Sequence, residues 1–228
     1  MSILLVAAEP REFRGVLRRA TRARKLVSAA QWARSVRLGA AELVLAANGA
    51  GAERAAAAVN AFPDARAVVS TGFCGAADPA LRVGDIFVAS EVEGLGRLFR
   101  TCLPASSAAA FRGRLATLPR VARTAAEKAA LRESGASAVD MEAAGAARAA
   151  EARGLPFFCV RAVTDLADED LHNDFDAAMR GDGHFDTMHL LRAAASNPAL
   201  LLPELVRMGR RSCVAARALG GFIADCRF

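Results

Sequence analysis

The sequence predicts an α/β fold: a three-layer sandwich in which helices flank one central, mixed and twisted sheet. Three observations lead there. Short apolar runs alternate along the chain with Ala-rich helical segments, the pattern of strands and helices layered around a single sheet. The 228 residues suit one domain with a full core, spanning 1–228. Apolar residues make up 54%, too many for a disordered chain, yet no run reaches the eighteen that a membrane-spanning helix needs.

Taken in order, Ser2–Ala7 reads as a buried strand, too short of basic residues at its start to be a signal peptide. Pro10 opens a helix to about Ala20, as proline does at a first helical position. Residues 33–38 and 42–47 are two strands joined at Gly39, and Asn48-Gly49-Ala50-Gly51 is a turn into a helix over 52–61. The β-branched stretch 67–71 is a strand ending at Gly72, and 85–89 is another. Residues 91–118 mix Gly, Pro and Ser with short apolar pieces and read as an irregular or mobile loop. Residues 124–134 are a helix, with Thr124 and Glu127 in a capping-box pattern. Residues 138–139 form a short strand, 141–153 a helix closed by Gly154, and 157–163 a strand holding Cys159 in the core. The last third is helical, over 172–179, 185–195 and 203–226.

Composition excludes several functions. The net charge of +6 comes almost wholly from arginines spread over helices, apart from Arg207, Arg210 and Arg211, and tyrosine is absent. Without an aromatic platform this reads as solvated helix surface and not as a nucleic-acid site. The five cysteines are far apart and odd in number, with no ligand spacing for zinc and no disulfide framework, which points to a reducing, cytoplasmic setting. His172, His184 and His189 have no metal-binding spacing either. Gly49-Ala50-Gly51 before a helix reads equally as a phosphate cradle or a plain turn.

The chemistry concentrates in two stretches. Ala138-Val139-Asp140-Met141-Glu142-Ala143-Ala144 opens a helix with an acidic cluster, and Arg161-Ala162-Val163-Thr164-Asp165 ends the next apolar strand. Together they bring carboxylates and an arginine to one edge of the sheet, where α/β sheets bind ligands. Each residue also has a plain structural reading. Glu12 and Glu142 are acids favoured at a helix start, Asp165 a cap, Met141 a core residue, and Arg161 with Asp165 an ion pair.

Four stretches carry a resemblance to the nucleoside phosphorylase/nucleosidase family, which includes the methylthioadenosine/S-adenosylhomocysteine nucleosidases. They are Ala7-Ala8-Glu9-Pro10-Arg11-Glu12; Ser70-Thr71-Gly72-Phe73-Cys74-Gly75 with Val83-Gly84-Asp85-Ile86; Val139-Asp140-Met141-Glu142; and Arg161 to Asp165 with Ala167-Asp168. Order and spacing agree from residue 1 to about 180. The resemblance implies the phosphorylase/hydrolase-like fold and cleavage of the N-glycosidic bond of an adenosine-type nucleoside. It implies Asp165 as the acid that protonates the departing base and Glu12 as the carboxylate that activates water. Glu142 would grip the ribose hydroxyls, Met141 pack on the sugar, Phe175 line the base pocket, and Arg161 organise the acidic site. Gly72 belongs to the same substrate-binding set. No cofactor and no metal are implied, and the partners are a small-molecule nucleoside and a second copy of the chain in a homodimer.

The sequence departs from the family at four places. Phe73 stands where the phosphorylases carry a phosphate-binding Ser, which favours water over phosphate. The family's Ser-Gly-Asp stretch before a base-stacking aromatic is replaced by Leu118-Pro119-Arg120-Val121. The loop over 91–110 is unlike the usual substrate cover. The Arg-rich tail from Phe185 to Phe228 resembles the branch associated with hopanoid biosynthesis, which implies an adenosyl-lipid substrate. A phosphorylase and a nucleoside-binding module without catalysis stand as the alternatives.

Overall fold

The computed structural model describes residues 2–228. Its elements in chain order are β1 (Ser2–Ala7), α1 (Arg14–Leu17), β2 (Arg22–Lys25), β3 (Trp32–Leu38), β4 (Ala41–Ala47), α2 (Ala52–Asn60), β5 (Ala65–Ala76), β6 (Ile86–Gly94), β7 (Arg97–Arg100), β8 (Phe111–Thr117), α3 (Ala125–Glu133), β9 (Ala136–Asp140), α4 (Ala143–Ala152), β10 (Phe157–Asp165), α5 (Thr187–Ala194) and α6 (Pro198–Asp225). Among the described residues no helix is long and apolar enough to cross a membrane.

The strands form one mixed sheet, as the sequence predicts. β1 lies parallel between β4 and β5, with β3 and β2 added antiparallel outside β4. β5 outlasts β1. It runs parallel to β10 from Val68 to Gly75, and its end, Gly75 and Ala76, pairs with β9. Because β10 also pairs β6, β6 pairs β8, and β8 pairs β9, five strands close into a small barrel at this end of the sheet.

Alternation along β1 divides the core. Leu4 and Val6 face α2 and α4, whereas Ile3, Leu5 and Ala7 face α1 and α6. α6 lies against α1 backbone to backbone: a Cβ on Gly15 would sit 1.9 Å from the Ala216 carbonyl oxygen. Only glycine permits that approach, and it fixes the helix that walls the cavity described below.

The structure corrects the sequence reading at several elements. The helix expected to reach Ala20 is a 3-10 turn over Pro10–Phe13 and the single turn of α1. The region 91–118 is mostly strand: β6 continues to Gly94 and turns through Leu95-Gly96 into β7, and β8 follows. Both turn residues have positive φ, 53° and 73°, the geometry of a two-residue hairpin. Leucine at the first position hides that turn in the sequence, and the two glycines around it read as irregular loop. β2 went unread because its exposed residues are basic; arginine and lysine on an edge strand also discourage pairing with another chain. Residues 172–179 are turns, not helix. The Glu204 carboxylate of α6 takes the amides of His172 (2.9 Å) and Asn173 (3.0 Å), and Asp174 takes that of Ala177 (3.0 Å); such bonds compete with helix formation. The last helix, expected from residue 203, begins five residues earlier, at Pro198, and carries Pro203 inside its first turns.

Candidate active site

The carboxyl ends of β1, β5, β9 and β10 open into a cavity of about 580 Å³, the place where parallel sheets hold ligands. Five of the seven residues singled out in the sequence line it: Glu12, Met141, Glu142, Asp165 and Phe175. Gly72 and Arg161 lie behind the wall and support it.

Glu12 sits on the 3-10 turn that Pro10 opens just after β1. It is buried, 6% exposed, where the helix-start reading made it a surface acid. Its Oε2 accepts the Glu9 amide at 2.7 Å and its Oε1 the Phe73 amide at 2.8 Å. Burial pushes its pKa up, against the opposing pull of those amides and of Arg161. Gly72 makes room for this arrangement. Its φ is +133°, and a Cβ there would lie 2.4 Å from Glu12 Oε1 and 2.9 Å from Arg161 Nη1.

Arg161 is fully buried. Its Nη1 donates to the Thr71 carbonyl at 2.6 Å, and its Nη2 to Ser70 Oγ at 2.7 Å and to the Asp140 carboxylate. Asp140 also accepts the Thr117 hydroxyl at 2.7 Å and caps α4 by accepting the Ala143 amide at 2.9 Å. Burial alone would lower the Arg161 pKa, but the surrounding carboxylates of Asp140, Glu142 and Glu12 raise it. Arg161 therefore ion-pairs with Asp140, and the pair with Asp165 that the sequence left open is not formed.

With Asp140 as the cap, Glu142 is free of that duty. Its Oε1 accepts the Gly51 amide at 3.2 Å, across at the start of α2. The Gly49-Ala50-Gly51 turn thus presents an amide to a carboxylate of the protein's own. Burial raises the Glu142 pKa to about 8, helped by the neighbouring charges of Asp140 and Glu12.

Asp165 ends β10. Its Oδ2 pairs with Lys128 Nζ at 3.0 Å and its Oδ1 is 3.2 Å from the Thr164 hydroxyl. Lys128 comes from α3 and is fully buried. It belongs to none of the sequence stretches that point to the site. The available signal was a lysine in a chain whose only other lysine is Lys25.

Aromatic and apolar surface completes the cavity. Phe175 meets Phe185 edge-on, with ring centroids 5.9 Å apart. The Phe73 ring, Arg120 and Val121 also face the space, so the stretch that departs from the family does border the site. Leu190, Leu191, Leu205, Val206 and Met208 of α5 and α6 form one wall. The described residues hold no group of three or more His, Cys, Asp or Glu suited to a metal ion.

Three buried carboxylates on one cavity, each held by a different donor, can do separate work on a small polar molecule. One can protonate, one can accept a proton from water, and one can bind hydroxyls.

Solved structures of the same fold include the 5′-methylthioadenosine/S-adenosylhomocysteine nucleosidase of Neisseria meningitidis in complex with methylthio-immucillin-A, at 19% identity and a TM-score of 0.73, covering 98% of this chain and 97% of that one. The corresponding nucleosidase of Helicobacter pylori aligns at 17% identity and a TM-score of 0.69, covering 98% and 96%. A futalosine hydrolase mutant of Helicobacter pylori aligns at 16% and 0.60, covering 72% and 89%. No curated protein matches the sequence. The sequence itself matches the phosphorylase superfamily over residues 3–111 and 100–206, and the chain belongs to that superfamily.

Proposed function

We propose that this protein is a nucleosidase that hydrolyses the N-glycosidic bond of an adenosine-type purine nucleoside. The observation that carries the reading is that three buried carboxylates, Glu12, Glu142 and Asp165, line one cavity, with Glu12 and Asp165 set against different residues of β5. Glu12 faces Gly72, while Asp165 Oδ2 would lie 2.6 Å from a Cβ on Gly75, three residues further on. Asp165 protonates the leaving base, Glu12 takes a proton from the attacking water, and Glu142 binds the ribose hydroxyls. Met141 packs on the sugar, and Phe175 with Phe185 flanks the base. The methylthioadenosine/S-adenosylhomocysteine nucleosidases that share the fold support a substrate of this class.

Two finer points have their own support. The Phe73 ring cannot donate to phosphate, which favours water as nucleophile. Arg11 and Arg14 line the cavity and favour phosphate, but Arg11 is tied to Glu9 at 3.1 Å. The wall of Leu190, Leu191, Leu205, Val206 and Met208 favours a large apolar 5′ substituent, as an adenosyl-lipid would carry. The test is a panel of purine nucleosides with 5′ substituents of increasing apolar size, with released base read by chromatography. Base release that improves with apolar size supports the apolar 5′ substituent, a rate indifferent to added phosphate supports water as nucleophile, and binding without release leaves a nucleoside-binding module.

A further inference from the structure

We propose that Lys128 is a positioning residue that holds the Asp165 carboxyl in its working orientation; this rests on the reading of the site given above. Helix α3 is otherwise half-buried or exposed, and Lys128 is its buried residue. Burying an ammonium is costly, and an apolar side chain would fill such a helix position without that cost. The structure shows what the charge does there. Nζ forms an ion pair with Asp165 Oδ2 at 3.0 Å and donates to the Leu166 carbonyl at 2.7 Å and the Glu169 carbonyl at 3.1 Å. Lys128 thus ties the catalytic carboxylate to the backbone that immediately follows it.

The other oxygen of Asp165 is held less firmly. The Thr164 hydroxyl has one proton and two acceptors, Asp165 Oδ1 at 3.2 Å and the Cys74 carbonyl at 3.3 Å. Lys128 is therefore the main constraint on the carboxyl's rotation. Lys128 is not among the residues that line the cavity, so it does not reach the base and acts only through Asp165. A proton donor must lie within hydrogen-bond reach of its target, and a displacement of about 1 Å can cost on the order of a hundredfold.

The test uses Lys128→Met, Asp165→Asn and the double variant, with base release measured from the best nucleoside of the panel. Lys128→Met is expected to lower kcat about 30- to 300-fold with KM within about threefold. In the Asp165→Asn background it is expected to add less than about threefold, because the group it positions is gone. Lys128→Gln, whose amide still donates to one carbonyl, is read in the same way if the Met variant melts below the assay temperature. A kcat within about threefold of the parent overturns the proposal, as does a full loss repeated in the Asp165→Asn background. Absence of base release by the unaltered protein overturns the reading of the site instead, so the two failures are distinct.

Discussion

Gly72 and Glu12 are in contact through the side chain that Gly72 lacks: its Cβ position lies 2.4 Å from Glu12 Oε1. The carboxylate occupies the space of a missing methyl. Gly72→Ala therefore displaces Glu12 and also crowds Arg161, at a φ that alanine disfavours. Chemical denaturation is expected to show a loss of about 1–3 kcal/mol, and base release is expected to fall on the order of a hundredfold. Parent-like activity would free Glu12 from its role.

Glu12→Gln tests the same carboxylate chemically. Both oxygens accept backbone amides, from Glu9 and Phe73. A glutamine has one acceptor, so an N–H must face an N–H. Hydrolysis should be lost, and thermal melting should report about 1–3 kcal/mol of destabilisation. Calorimetry with adenine should still show binding.

Asp165→Asn is expected to lower kcat by about 10²–10⁴-fold, because an amide cannot deliver the proton. The amide oxygen can still accept from Lys128, so the fold survives with a loss of about 1–3 kcal/mol in denaturant. Unchanged turnover would remove Asp165 from the acid role.

Glu142 makes stability depend on pH. Its folded-state pKa is raised from about 4.5 to about 8, so the native state holds a proton that the unfolded state has released. Stability is then highest below about pH 4.5 and falls as pH rises towards 8, by at most about 1.4 kcal/mol per pH unit from this group. Glu142→Gln should flatten that fall. Melting curves between pH 5 and 8 for both proteins check it, and parallel curves would contradict it.

The homodimer that the resemblance implies has a candidate contact in the β6–β7 hairpin. Leu95 and Leu98 are about half exposed there, while Phe99 of β7 is buried in its own chain. A dimer contact there would rest on the two leucines. Light scattering at micromolar concentration should give twice 23.8 kDa, and Leu98→Glu should shift it to monomer; a fully active monomer would end the idea.

The strands of the sheet are legible where they are apolar, as in β1, β4 and β5, although β5 runs on through Gly72 to Ala76, past the glycine at which the sequence ends it. They were illegible where the alternation runs through charges, as in β2 and β7. The site was legible where its chemistry lies within short stretches, so Asp140 to Glu142 and Arg161 to Asp165 could be read together. What escaped depends on distant partners. The capture of the His172 and Asn173 amides by Glu204, and of Asp165 by Lys128, joins residues 31 to 37 positions apart, and no local pattern announces such pairs.

The central claim is that water, activated by Glu12, attacks the ribose. The most direct measurement is the mass of the sugar released in ¹⁸O-labelled water, with and without phosphate. The account predicts a free sugar carrying one ¹⁸O, at a rate indifferent to phosphate. A sugar 1-phosphate that forms only when phosphate is present, with no label from water, would contradict it.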